Sequence, residues 1–260
     1  TVKKSETFYS GNEGEEKAEK TYNYDFAGAV IKTTTTFTYT NDALTSSLTT
    51  KLKDGTVKKS ETFYTGNEGE EKAQKTYNYD FAGEVIKTTT AFNYTNDALS
   101  SSVTTKLADG TVKKSETFYQ GNEGEEKAQR TYNYDFAGEN VKTTTTFTYT
   151  SDVLTSSLTA KLKDGTVKKS ETFYSGNEGE EKAQKTYNYD FAGEVIKTTT
   201  AFNYTNDALT SSVTTKLKDG TVKKSETFYT GNEGEEKAQK TYNYDFAGEV
   251  IKTTTAFNYT

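Results

Sequence analysis

The segment Tyr77-Asn78-Tyr79-Asp80-Phe81-Ala82-Gly83-Glu84-Val85-Ile86-Lys87 occurs five times with few substitutions, starting at Tyr22, Tyr77, Tyr132, Tyr187 and Tyr242, always 55 residues apart. The flanking residues repeat with it. A fixed period marks an array in which each repeat is stabilised by its neighbours, and it overrides any domain count drawn from length. Four full repeats, 1–55, 56–110, 111–165 and 166–220, are followed by a partial fifth, 221–260. Without an initiator methionine, signal peptide or capping repeat, the residues read as a window on a longer chain or a processed piece of one.

Each repeat holds four strand-like runs separated by turn residues. In the first, run A is Val30–Thr40, followed by the turn Asn41-Asp42-Ala43. Run B is Leu44–Lys53 and ends at Asp54-Gly55. Run C is Thr56–Tyr64 and ends in the loop Gly66-Asn67-Glu68-Gly69; run D is Glu70–Asp80 and ends at Phe81-Ala82-Gly83. Thr, Val, Ile, Tyr and Phe favour strands, while Gly, Asn and Asp favour turns, so the pattern is a series of hairpins.

Strict alternation puts Ile31, Thr33, Thr35, Phe37 and Tyr39 on one face with Leu44, Ser46, Leu48, Thr50 and Leu52. Val57, Lys59, Glu61, Phe63, Ala73, Lys75, Tyr77 and Tyr79 join them. Lys32, Thr34, Thr36, Thr38, Thr45, Ser47, Lys51, Lys58, Ser60 and Thr62 fall on the other, polar face. Meander pairing sets Tyr39 opposite Leu44, Ile31 opposite Leu52, Leu52 opposite Val57, Val57 opposite Tyr79, and Glu61 opposite Lys75. Cross-strand pairs of this kind contribute roughly 0.2–1 kcal/mol each. The expected fold is all-β: tandem 55-residue repeats of four antiparallel strands in a continuous, elongated β-meander. The semi-apolar face needs cover, either by coiling into a tube or superhelix or by packing on a second sheet from another copy.

Composition bounds the chemistry. The chain has no Cys, His, Met, Trp or Pro, which removes the usual ligands of zinc, iron–sulfur and haem sites. No apolar run approaches the ~20 residues of a membrane span. A net charge of −6 argues against nucleic acid as a partner. Hydrophobic residues are 31% of the chain, so the core is expected to be thin.

No residue is singled out as catalytic, metal-binding or cofactor-binding, and no enzyme activity is expected. Gly66-Asn67-Glu68-Gly69-Glu70-Glu71 gathers three carboxylates but lacks the spaced Asp ligands of a calcium loop, so a solvated turn is the favoured reading. The hydroxyl row Thr34, Thr36, Thr38 and Thr40 suggests ice binding as a minor alternative. Asn93-Tyr94-Thr95, Asn203-Tyr204-Thr205 and Asn258-Tyr259-Thr260 match the glycosylation sequon, a match that arises easily in a Thr-rich chain. Asp80 and Glu84 face each other across a turn, but a site copied in every repeat reads as structural. Rows of Tyr and Phe, Tyr77 and Tyr79 among them, could stack on glycans.

Tyr77-x-Tyr79-Asp80-x-Ala82-Gly83-x-Val85 resembles the signature of the YD-repeat, or Rhs-type, family, in one hairpin of each 55-residue repeat. The same positions are Tyr22, Tyr24, Asp25 and Gly28; Tyr132, Tyr134, Asp135 and Gly138; Tyr187, Tyr189, Asp190 and Gly193; and Tyr242, Tyr244, Asp245 and Gly248. The resemblance implies long spiralling β-sheets on large secreted or surface bacterial proteins, some enclosing a toxin. The functional expectation is a structural segment of an extracellular filament or stalk. Its first partner is itself, by end-to-end or lateral association, with cell-surface glycans second.

Overall fold

A computed structural model describes residues 2–25, 27–53 and 55–259. Asp54 of the second expected turn and Thr260 of the last sequon lie outside the described residues. The fold is all-β: nineteen antiparallel strands in one open sheet, in regular hairpin succession, with no helix among the described residues.

The chain divides into two compact units, one running to Ala128 and including Tyr134–Asn140, the other comprising Gln129–Asn133 and everything from Val141. The first contains β1 (Ser5–Ser10), β2 (Lys17–Tyr24), β3 (Ile31–Thr40), β4 (Ala43–Lys51), β5 (Val57–Thr65), β6 (Lys72–Tyr79), β7 (Ile86–Thr95), β8 (Ala98–Lys106) and β9 (Val112–Gln120). The division falls within β10 (Lys127–Tyr134). The second unit contains β11 (Val141–Thr150), β12 (Val153–Lys161), β13 (Val167–Ser175), β14 (Lys182–Tyr189), β15 (Ile196–Thr205), β16 (Ala208–Lys216), β17 (Val222–Thr230), β18 (Lys237–Tyr244) and β19 (Ile251–Ala256).

In the first unit the register departs from simple alternation in every hairpin. β3 and β4 pair Thr36 with Leu48 and Thr38 with Ser46, then slip by one residue to pair Tyr39 with Leu44. β4 and β5 slip between Thr49 and Thr50, β5 and β6 between Phe63 and Tyr64, and β6 and β7 between Asn78 and Tyr79. Each slip is a β-bulge, one unpaired residue that turns the following side chains over. The second unit repeats these slips, for example between Phe173 and Tyr174 and between Asn203 and Tyr204.

The bulges overturn the expectation of one semi-apolar and one polar face. The first face carries Thr34, Thr36 and Thr38 beside Ser46, Leu48 and Thr50, then Glu61, Phe63, Lys75 and Tyr77. The second carries Thr33, Thr35 and Phe37 beside Ser47, Thr49 and Lys51, then Ser60, Thr62, Thr76 and Asn78. Tyr39 does stand opposite Leu44. The other expected pairings fail by one or two residues. Lys51, not Leu52, faces Val57; Glu61 faces Tyr77, and Lys75 faces Phe63. Glu61 pairs instead with Lys58 at 3.4 Å. Leu52 is not inward: it leaves the ladder with φ 59° and is 55% exposed.

Apolar residues are thus shared between two faces, and neither has an apolar layer to hide. Ala160 is the one buried hydrophobic residue among those described, and the other buried residues are Thr and Ser. The surface of 16049 Å² compares with about 11,400 Å² for a compact globule of this mass.

The buried hydroxyls are all bonded. Thr34, expected outside, donates to the carbonyl of Leu52 at 2.8 Å, and Thr50 donates to that of Thr34 at 3.3 Å. On the second face Thr35 meets Thr49, Thr62 meets Thr76 and Thr90 meets Thr104, each at 2.9 Å. Ser47, also expected outside, is buried and bonds the Tyr64 hydroxyl at 3.1 Å. Across the first face Phe63 and Tyr77 meet edge to face with centroids 5.5 Å apart, a contact worth about 0.5–1.5 kcal/mol.

The repeats contain their own control. Ala160 stands where Thr50, Thr105 and Thr215 stand elsewhere. Thr105→Ala should therefore cost less than about 0.5 kcal/mol, whereas Thr89→Ala, which strips the 2.8 Å bond to the Leu107 carbonyl, should cost about 1 kcal/mol. Urea unfolding midpoints check this; equal losses at the two sites would contradict it.

Candidate functional site

The strand ends carry the polar chemistry, and the two margins of the sheet differ. At one margin lies the hairpin bearing the Tyr-Asp signature. Tyr79 donates its hydroxyl to Glu61 at 2.8 Å. The Asp80 carboxylate accepts the backbone N–H of Glu84 at 3.0 Å and of Val85 at 3.3 Å. Asp80 and Glu84, considered as paired carboxylates, are therefore joined through the backbone of one and the side chain of the other, as a turn cap. Gly83 has φ 76°, and a Cβ there would lie 2.5 Å from the Lys58 nitrogen. Only glycine lets the turn close on that strand. Lys51 donates to the Phe81 carbonyl at 2.6 Å and holds its ammonium 3.6 Å from the centroid of the Phe81 ring.

At the opposite margin are the two-residue turn Asn41-Asp42 and the loop Gly66–Glu71. The turn has φ 48° and 70°, the left-handed pair of a type I′ hairpin. In the loop, Glu70 accepts from the Asn67 amide at 3.4 Å. Glu71 accepts the N–H of Gly69 at 3.0 Å and, from the preceding repeat, that of Leu44 at 2.8 Å. Glu68 takes a third direction, to Lys17 of the preceding repeat at 3.1 Å. The three carboxylates weighed as a calcium loop thus each go to a separate protein donor, and no acidic group of metal-site size occurs among the described residues.

Lys17 also pairs with Asp42 at 2.8 Å. Lys72 repeats the arrangement with Asp97 at 2.6 Å and Glu123 at 3.1 Å, and Lys182 with Asp207 at 2.7 Å and Glu233 at 3.0 Å. Each such lysine ties its own repeat to the turn of that repeat and to the loop of the next. Beside each lies an open groove of about 550–630 Å³. Its walls include Gln74, Phe92, Asn93 and Tyr94 around Lys72. These grooves were invisible to sequence reasoning, since their walls come from positions 25 and 51 residues apart.

The remaining candidates are placed as follows. Thr36 donates to the Leu48 carbonyl at 3.4 Å, so Thr34 and Thr36 do not form a free hydroxyl row. Thr38 and Thr40 are exposed, as expected. Asn93 and Asn203 of two sequons donate to Ser101 and Ser211 at 3.0 and 2.9 Å.

Glu71 and Asp190 are acidified by their donors. The N–H of Leu44 holds Glu71 below the ordinary carboxylate value, and the N–H groups of Glu194 and Val195 do the same for Asp190. Partial burial and the hydrogen bond to Glu171 push Tyr189 up to about 12.

No family model and no curated protein matches the chain. Among solved structures it is similar to a porin-like protein from Bacteroides uniformis, at 12% identity and TM-score 0.34, covering 87% of this chain and 89% of that one. It is also similar to TcdB2-TccC3, at 12% identity and TM-score 0.28, covering 98% of this chain and 16% of that one. At such scores no functional inference rests on either.

Two measurements test this geometry. Gly83→Ala combines a left-handed φ with a backbone clash and should cost more than about 2 kcal/mol; Gly69→Ala, with open space at its Cβ, should cost about 1 kcal/mol. Equal thermal shifts for the two would contradict it. A carboxyl whose pKa is lowered by folding stabilises the fold above its unfolded pKa and loses that contribution as pH falls. The Tm should therefore decline below about pH 4.5. For Tyr189 the pKa is raised, so its contribution is full below about pH 10 and is lost towards about 12. A Tm flat from pH 2 to 7 would contradict the acid limb.

Proposed function

We propose that this chain is a structural segment of a secreted or cell-surface fibre or stalk, built by propagating one hairpin repeat, without enzymatic activity. The observation that carries this reading is the set of ties from each repeat to the next. Lys17 reaches Glu68, Glu71 receives Leu44, and the same bonds recur at Lys72 with Glu123 and at Glu126 with Leu99. Such near-neighbour coupling makes stability grow with copy number. It also gives every position along the array the same surroundings, which suits a fibre and leaves no repeat distinguished as a catalytic pocket.

The YD-repeat reading belongs to the same proposal. The conformational roles of Asp80 and Gly83 and the Tyr79–Glu61 bond account for a Tyr-Asp-x-x-Gly hairpin that propagates a sheet. A second reading, a repeated glycan-binding surface, is favoured by the open grooves beside Tyr39, Tyr94 and Tyr204.

Constructing two-, three- and four-repeat chains and measuring their urea midpoints tests the first reading. Midpoints should rise with each added repeat, and negative-stain images should show elongated particles. Midpoints independent of copy number, or compact globules, would contradict it. A glycan array probed with the native chain and with Tyr94→Ala and Tyr204→Ala variants separates the second reading from a pure scaffold.

A further inference from the structure

The two margins of the sheet are chemically complementary. In the repeat 56–110 one margin holds Glu68, Glu70, Glu71 and Asp97 against a single lysine, Lys72. The other holds Lys58, Lys59, Lys87 and Lys106 with Glu61, Asp80, Glu84 and Asp109. One margin is acidic and the other is rich in lysine and close to neutral, with the same 55-residue period. In the second compact unit Glu178, Glu180, Glu181 and Asp207 stand against Lys182 at one margin, and Lys168, Lys169, Lys197, Lys216 and Lys218 stand with Glu171, Asp190, Glu194 and Asp219 at the other.

The lysine-rich margin also carries an exposed aromatic ring in four of the Tyr-Asp hairpins. Phe81 and Phe136 are 91% exposed, and Phe191 and Phe246 are 89% exposed. Such exposure would be unremarkable in one residue, but here it recurs at one place in successive repeats. None of these rings lies loose on the sheet. Lys51, Lys106, Lys161 and Lys216 hold their ammonium groups 3.4–3.7 Å from the ring centroids and donate to the same phenylalanines' carbonyls. The result is a preformed knob, a benzyl group with a cation on one face.

The acidic margin carries the matching recess. The groove at Lys72 has about 580 Å³, whereas a cavity of roughly 150 Å³ suffices for benzene. It offers the rings of Phe92 and Tyr94 and, at its rim, the carboxylates of Asp97 and Glu123. Knobs occur at Phe81, Phe136, Phe191 and Phe246 and grooves at Lys17, Lys72 and Lys182, each set at 55 residues or a multiple of it, so a second chain shifted by whole repeats brings equivalent residues together.

We propose that the phenylalanine knobs of one chain seat in the acidic-margin grooves of a second copy, with the knob lysines against the Asp97–Glu123 rim and its equivalents. The contact is heterologous, joining different surfaces of two identical chains. It therefore leaves a free margin on each partner and grows laterally without closing. Several weak knobs on one chain act together, which raises avidity without any single strong contact. This interface rests on the fibre reading and names the surface by which fibres thicken.

The test uses the full 260-residue chain. Sedimentation velocity compares it with the variant Phe81→Ser, Phe136→Ser, Phe191→Ser and Phe246→Ser, whose folding is checked by circular dichroism. The native chain should associate, more weakly as salt is raised. The variant should need at least about tenfold higher concentration. In parallel, a photo-crosslinking benzoyl-phenylalanine at position 191 should link between chains to groove residues such as Tyr94 or Tyr204. Association unchanged in the folded variant, or crosslinks mapping elsewhere, would overturn the interface and leave the fibre reading standing. A native chain that stays monomeric at every concentration would overturn the interface as well. Elongated monomers would then preserve the fibre reading, and globular ones would end it.

Discussion

One β-bulge in every hairpin is the constraint on which the rest depends. Without it, Phe37, Tyr39, Leu44, Leu48, Phe63 and Tyr77 would share one face and demand an apolar cover. With it, Leu44 stands with Tyr39 and Phe37 on the second face, while Leu48, Phe63 and Tyr77 keep the first with Glu61. The apolar load is divided, and side chains such as Leu44, Leu48 and Tyr77 are half-buried by their lateral neighbours. A bulge also increases local twist, which keeps adjacent strands from lying flat. The single layer can therefore stand with both faces wet.

A sheet without a core must take its stability from elsewhere. Paired Thr hydroxyls, the Tyr64–Ser47 and Tyr79–Glu61 bonds, and edge-to-face rings bind each strand to the next. The margins add the lysine ties between repeats and the carboxylate caps of the turns. Individually these contacts are modest, on the order of 1 kcal/mol each. Their number grows with each repeat, and each added repeat gives the one before it a second neighbour to lean on.

Much of this was legible in the sequence. The repeat period, the strand content and all four turns per repeat follow from Gly, Asn and Asp placement against Thr, Tyr and Phe. The role of Gly83 was implicit in its place after Tyr-Asp. The bulges were not legible, because period two has no marker for one unpaired residue among threonines and lysines. Leu52 illustrates the cost: it looks like the last inward residue of its run, yet it begins a turn with positive φ. The lysine ties and grooves were equally hidden, since Lys72, Asp97 and Glu123 meet only through the register of three different hairpins. For Glu68, Glu70 and Glu71 a solvated turn is the favoured reading over a calcium loop, and the separate donor that each one serves was not legible.

The heat capacity of unfolding probes the central claim most directly, because it reports apolar surface removed from water. Ordinary globular proteins give about 12–15 cal/mol/K per residue. A sheet held by hydroxyl ladders and margin ties, with Ala160 its one buried hydrophobic residue among those described, should fall clearly below that range in differential scanning calorimetry. A value within or above it would mean that an apolar face is covered after all, and would contradict a single layer wet on both sides.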